Sequence, residues 1–251
     1  MRYNILKDYV DEFIVVEFDK TFSGKDKPFY GKELDQSFSG WQNKIRYCYQ
    51  TELSYSKYYG LAKASPQTEY GQGAGHWVRE FAQKESIRDC IKHLKDNDTV
   101  FIGDCDEIWN PNHLKFLEQH AKVEPTKLKL DVYTYYLNNK SNEQFWGTIV
   151  STYKNLKDEV LNYARTDKSS KTPDSYGWHF TSLKDGLKRK LEDSYTKETY
   201  ATKQVLDNLE ENIRNNKDFL GRDFKYTIDE TTWPQYLKDN KDKYRHLLRH
   251  E

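Results

Sequence analysis

Val100-Phe101-Ile102-Gly103-Asp104-Cys105-Asp106-Glu107-Ile108 lies near the middle of a 251-residue chain and sets out its architecture. The apolar run after Thr99 predicts a buried strand over Thr99 to Gly103. Two carboxylates, Asp104 and Asp106, follow at i and i+2 and are carried to the strand's carboxyl end. In open α/β sheets that edge is where ligands bind. Side chains two apart on an extended chain share a face, and with a turn beginning there both carboxylates reach one ion, directly or through water. Hard oxygen ligands suit Mn²⁺ or Mg²⁺, whose coordination is completed by waters and substrate phosphates. An ion held there bridges a diphosphate and offsets the charge that develops as it leaves. A D-x-D pair alone is a weak motif, and its plain alternative is a solvated acidic turn.

Working outward, Arg2 to Val10 has helical spacing, and Phe13-Ile14-Val15-Val16, ending at Glu17, reads as a buried parallel-type strand. From Asp19 to about Gly40 the composition is that of a loop, and one so long is usually functional or disordered. Lys44 to Tyr49 reads as a second short strand. Gly71 to Gly75 forms a glycine-rich bend before a helix predicted from about Trp77 to Leu94. Beyond the acidic motif, Pro111 opens a helix running to about His120. Leu128, Leu130, Val132, Thr134 and Tyr136 alternate as in a strand, and Trp146 to Val150 reads as another. A helix is expected from Ser182 to about Asp193, and the charged C-terminal third reads as a mostly helical cover. The order fits one α/β domain with a mixed-direction sheet flanked by helices.

Lys plus Arg and Asp plus Glu both number 40, so the net charge is zero and nucleic acid is an unlikely partner on charge grounds. An aromatic content of 15% marks a folding chain rather than a disordered one. The three cysteines (Cys48, Cys90, Cys105) show no paired spacing, which argues for reduced thiols and against a zinc site. No apolar run reaches the length of a membrane span and the N-terminus does not read as a signal peptide, so the expected location is cytoplasmic.

Several blocks, taken in order, resemble glycosyltransferase family 17, which contains the enzyme adding the bisecting N-acetylglucosamine to N-glycan cores. They are Asp8-Tyr9-Val10-Asp11 with Phe13 to Glu17, Lys20-Thr21-Phe22-Ser23-Gly24-Lys25 with Lys27-Pro28, and Gly103 to Ile108 with Asn110-Pro111. Tyr135 to Asn138, Trp146-Gly147-Thr148, Arg165, Gly177-Trp178-His179-Phe180, Trp233 to Leu237 and His246-Leu247-Leu248 follow. The resemblance spans nearly the whole chain, 1–251. It implies a GT-A-like fold, an inverting transfer, a UDP-sugar donor (typically UDP-N-acetylglucosamine) and a glycan acceptor. The chain begins inside the helix that follows the family's first strand, so that strand is expected to be lacking. Thr196-Lys197-Glu198 stands where the family tends to have His before Glu.

On this basis Asp104, Asp106 and His179 are the expected metal ligands. Glu17, Lys20, Lys25, Lys27 and Asp104 are expected around the donor, and Trp146 and Trp178 beside the sugars. Glu107 and Glu198 are the candidate general bases, since an acceptor hydroxyl is a poor nucleophile without one. Each of these has a plainer role: solvated lysines, surface or capping glutamates, core tryptophans and a hydrogen-bonded core histidine. Two other functions compete. A haloacid-dehalogenase-like phosphatase also carries D-x-D after an apolar strand, but near the N-terminus and with Thr or Val where Ile108 stands here. A carbohydrate-binding or regulatory protein with a degenerate donor site is the non-enzymatic alternative.

Overall fold

A computed structural model describes residues 1–31, 42–65, 75–166, 169–194 and 196–250. The glycine-rich bend expected before Gly75 and much of the loop expected up to Gly40 lie outside these residues. Among them the chain is a mixed α/β structure with two sheets.

The first sheet is small. β1 (Phe13–Phe18) pairs in parallel with β2 (Ile45–Gln50), in register from Phe13↔Ile45 to Phe18↔Gln50. α1 (Arg2–Leu6) precedes it and buries Ile5 and Leu6 in the main core. α2 (Gly75–Glu85) and α3 (Ile87–Cys90) take the place of the single helix expected from Trp77 to Leu94. The break falls at the buried Ser86, whose hydroxyl donates to the Gln83 carbonyl (2.7 Å) and so competes with the helix ladder. Cys90 on α3 forms a disulfide with Cys48 on β2, which corrects the expectation of reduced thiols. The two cysteines are 42 residues apart, and the packing of α3 on β1, beside β2, makes them neighbours.

The second sheet is built around β5 (Thr126–Tyr135), which is paired along both edges and buried almost throughout. β7 (Phe145–Thr152) lies antiparallel along one edge and β8 (Ser170–Leu183) parallel along the other. β3 (Thr99–Ile102) pairs antiparallel with β7, and β4 (Glu107–Trp109) antiparallel with β8. β3 and β4 therefore hang from opposite margins of the sheet, yet only Gly103 to Asp106 separate them in sequence. The sheet must curl to bring those margins together, and the acidic turn is where they meet. Phe101 and Trp109 stack across this closure with centroids 4.3 Å apart. β6 (Asn139–Ser141) and β9 (Tyr226–Ile228) extend the far side.

Alternation along β3 divides its side chains between two cores. Val100 and Ile102 join Ile149, Leu156, Leu161 and Ala164 on one face. On the other, Ile108, Trp109, Leu128, Leu130, Trp178 and Phe180 pack against α1 and against Leu117 and Ala121 of α4 (Leu114–Val123). The C-terminal segment is more than a cover. β9 extends the sheet, and Trp233, Leu237 and Leu248 enter the main core. Two more helices bear on the site, α5 (Leu161–Thr166) and α6 (Leu187–Asp193). The latter starts later than expected because β8 runs on through Leu183. No helix among the described residues is long and apolar enough to cross a membrane.

Candidate active site

The acidic turn is held from both sides by backbone. Glu107 N–H donates to the Asp104 carbonyl (3.0 Å), Arg2 reaches the same carbonyl, and Phe180 N–H donates to the Asp106 carbonyl (3.0 Å). The two carboxylates diverge toward different cations. Asp104 accepts from Arg165 Nη2 at 2.9 Å and lies 3.6 Å from Lys84 Nζ. Asp106 Oδ2 accepts from Lys190 Nζ at 3.1 Å and lies 3.5 Å from His179 Nε2. Partial burial opposes ionisation of both aspartates, but their hydrogen-bond and charge partners outweigh it. Arg165 and Lys84 hold Asp104 well below the usual carboxylate range, and His179 and Lys190 hold Asp106 at about 2.

Each cation is delivered by its own helix. Glu85, buried at the end of α2, accepts from the backbone N–H groups of Leu161 (3.3 Å) and Asn162 (3.2 Å). That contact fastens the start of α5 and sets Arg165 one turn further along. Lys84, the residue before Glu85, points to a different side of α2, where Glu80 holds it at 2.6 Å. Lys190 comes from α6 and also donates to Thr181 of β8 (2.7 Å).

Glu107 stands opposite His179 in the β4–β8 ladder and is 2% exposed. It accepts from the Thr148 hydroxyl at 3.0 Å. Gly103 and Gly147 flank it so closely that a Cβ at either position would come within 2.7 Å of its carboxyl group. Burial, then the charge of Asp104, pushes its carboxyl above the ordinary range. A pocket of about 270 Å³ opens here, walled by Trp77, Phe145 and Trp146 and carrying Glu80, Lys84, Asp104, Glu107 and Arg165. A hollow of about 310 Å³ beside α4 is lined by Glu124 and His120 but by no lysine or arginine, so the converging charges single out the first.

The structure thus brings together Asp104, Asp106, Glu107, Trp146 and His179. It separates several other expected residues from them. Glu17 accepts from the backbone N–H groups of Tyr30 (3.0 Å) and Gly31 (2.8 Å) and so anchors the loop. Lys20 pairs with Asp26 at 2.5 Å, Lys25 with Asp193 at 2.9 Å, and Lys27 lies over the Tyr30 ring. The loop itself does reach the site's border. Arg79 and Gln83 of α2 donate to its Phe22 and Lys20 carbonyls, and Ser23 N–H donates to Asp193 of α6. Trp178 is a core residue whose indole N–H donates to Thr232 O (2.6 Å). Glu198 lies on a short helix, Lys197–Tyr200, and its side chain is outside the described set. Sequence reasoning missed Lys84 and Lys190 and gave Arg165 no role.

For a divalent ion, Asp106 Oδ2 and His179 Nε2 fit as two adjacent donors, 3.5 Å apart. The imidazole stacks on Phe145 (4.2 Å), and its Nδ1 is buried with no hydrogen-bond partner among the described residues. No group of three His, Cys, Asp or Glu side chains that could hold an ion occurs among the described residues. An ion shared with substrate phosphates commonly takes only one or two carboxylates from the protein.

A family model described as Glycosyltransferase family 17 matches residues 1–197. No curated protein and no solved structure gives a significant match to the chain.

Proposed function

The chain belongs to glycosyltransferase family 17 and is a glycosyltransferase, and from that premise we propose that it moves N-acetylglucosamine from UDP-N-acetylglucosamine to a glycan hydroxyl, with inversion, on a GT-A-like sheet. Membership implies a nucleotide-sugar donor and a glycan acceptor, and it displaces the phosphatase and non-enzymatic readings. One observation supports the finer assignment: the buried Glu107 carboxylate and Asp104 of the acidic turn line one aromatic-walled pocket, with Asp106 two residues further along the turn.

Asp106 and His179 would hold Mn²⁺ or Mg²⁺ on the donor, where the ion supplies charge stabilisation for the departing diphosphate. Glu107 is the general base in preference to Glu198, because it lines the pocket and is fixed by Thr148 and two glycines. It takes the proton of the acceptor hydroxyl as that oxygen bonds to the anomeric carbon and the bond to the diphosphate oxygen breaks. The aromatic wall, Trp146 included, provides the apolar surface that a pyranose face packs on.

A donor panel tests this directly. The protein is incubated with UDP-N-acetylglucosamine and other nucleotide sugars in Mn²⁺ and in EDTA, with a glycan acceptor, and nucleotide release is followed. Release from UDP-N-acetylglucosamine that EDTA suppresses is the expected result. Release from a different sugar nucleotide replaces the donor, and release undiminished in EDTA removes the metal.

A further inference from the structure

Arg165 and Lys84 are spent, in this structure, on a carboxylate that does not need them. Asp104 is 47% exposed on its side chain and could be solvated by water. The cations that face it are far more enclosed, Arg165 at 13% and Lys84 at 20%. Enclosing a cation is unfavourable unless an anion compensates it, and a half-exposed carboxylate is an anion that another can replace while water takes it up. Among the described residues Arg165 directs one hydrogen bond, to Asp104, from a guanidinium that carries five N–H donors. Lys84 has a second and closer partner in Glu80, at 2.6 Å against 3.6 Å, so its position does not depend on Asp104.

We propose that Arg165 and Lys84 form the receptor for the donor's diphosphate, and that Asp104 is the resident counter-ion which the diphosphate displaces. This rests on the nucleotide-sugar donor proposed above. A planar guanidinium fork matches phosphate oxygens in pairs, whereas a lysine acts on them as a point charge, and a diphosphate offers more charge and more acceptor oxygens than one carboxylate. Both cations stay protonated. Burial works against each of them and Arg165 repels Lys84, but Asp104, Glu107 and Glu80 more than compensate. Glu80 holds Lys84 through Oε1, and its buried Oε2 has no hydrogen-bond partner among the described residues, so Lys84 stays anchored and the pocket keeps a carboxylate after Asp104 turns away. The donor then enters by exchanging anions on a preformed pair of cations.

The test is calorimetry on the full chain with UDP and with uridine, in EDTA and in Mn²⁺. Wild-type protein should bind UDP more tightly than uridine in both. Arg165→Gln should weaken UDP roughly ten- to hundredfold, as loss of charge-assisted hydrogen bonds does, and leave uridine unchanged. Lys84→Gln should weaken UDP about tenfold, while Arg165→Lys keeps part of the affinity. Asp104→Asn is the sharper variant. In EDTA it should bind UDP severalfold more tightly than wild type, because the internal competitor has lost its charge. It also carries the test if Arg165→Gln does not fold. UDP affinity unchanged in both Arg165→Gln and Lys84→Gln, or weakened in EDTA by Asp104→Asn, overturns the cradle while the donor assignment stands. Wild-type protein that binds no UDP in either condition removes both.

Discussion

Two of the molecule's aspartate–arginine pairs are built in opposite ways. At Asp218–Arg222 the carboxylate side chain is 0% exposed and the arginine 43%. Asp218 accepts from the backbone N–H groups of Leu220 (3.0 Å) and Arg222 (3.2 Å), from Arg222 Nε (3.0 Å) and Nη2 (2.7 Å), and from Tyr226 OH (3.3 Å). At Asp104–Arg165 the arginine is enclosed and the carboxylate half open, with one side-chain hydrogen bond between them. The first pair saturates its anion and ties residues 218 to 226 into a knot. The second leaves hydrogen-bonding capacity on its cation beside a pocket. Saturation of the buried partner separates an ion pair that holds structure from one poised for a ligand.

The largest effect should come from the carboxylate beside the open pair. Asp106→Ala should reduce transfer on the order of a thousandfold, the several kcal/mol that an ion supplies to a departing charge. Its melting temperature should change little, since Phe180 bonds the Asp106 backbone carbonyl and not its side chain. Nucleotide release together with a thermal melt measures both, and retained activity would end the metal role. Glu107→Gln keeps an oxygen to accept from Thr148 but cannot take a proton, so kcat should fall about a hundredfold with KM nearly unchanged. A larger loss in KM than in kcat would make Glu107 a binding residue instead.

At the saturated pair the consequences should reverse. Asp218→Ala leaves two amide groups and a guanidinium without their acceptor and should cost about 3–5 kcal/mol. For a chain of this size that is roughly a 6–20 °C fall in Tm, with kcat per folded molecule unchanged. The acid limb carries a sign. Burial raises the Asp218 pKa, but Arg222 and the Leu220 amide outweigh it and the net shift is downward. The native protein therefore binds fewer protons than the unfolded chain between the two pKa values. The pair's stabilisation is complete above the ordinary aspartate value, roughly 3.9, and is lost as pH falls through the lowered one. Asp218→Asn should flatten that part of the stability curve. A wild-type profile already flat there would show that the knot does not depend on charge.

Much of the fold was legible because it follows local pattern. β1 and β3 are β-branched or aromatic runs, and β5 alternates. β4 has three residues, too few for any period, and the first half of β8 carries Pro173 and Asp174, which interrupt a strand pattern. Both strands are fixed by partners distant in sequence. The break at Ser86 depends on a single hydroxyl, and the disulfide on the docking of α3. At the site, the acidic turn announced itself because strand and motif are contiguous. Its cations did not, since they arrive from three helices. Among 40 lysines and arginines nothing local distinguishes Lys84 or Lys190 from the rest. The loop lysines were favoured for lying in a motif, yet their ammonium groups settle on nearby carboxylates and on a tyrosine ring.

That contrast yields the smallest expected effect. Lys25 pairs with Asp193 at 2.9 Å, the same distance as Arg165 to Asp104, and by length alone the two pairs are equivalent. They differ in where the cation sits: Lys25 is 54% exposed and Arg165 is 13%. Water screens the first pair and replaces it when it is broken, so Lys25→Ala should cost under about 1 kcal/mol. The backbone bond from Ser23 N–H to Asp193 O (3.1 Å) remains to hold the loop on α6, and UDP affinity should stay within about twofold. Calorimetry on Lys25→Ala and Arg165→Gln, side by side, measures this directly. A tenfold loss at Lys25 would mean that the loop closes over the donor and carries its lysines inward, and exposure in the free protein would then no longer tell a resting cation from a working one.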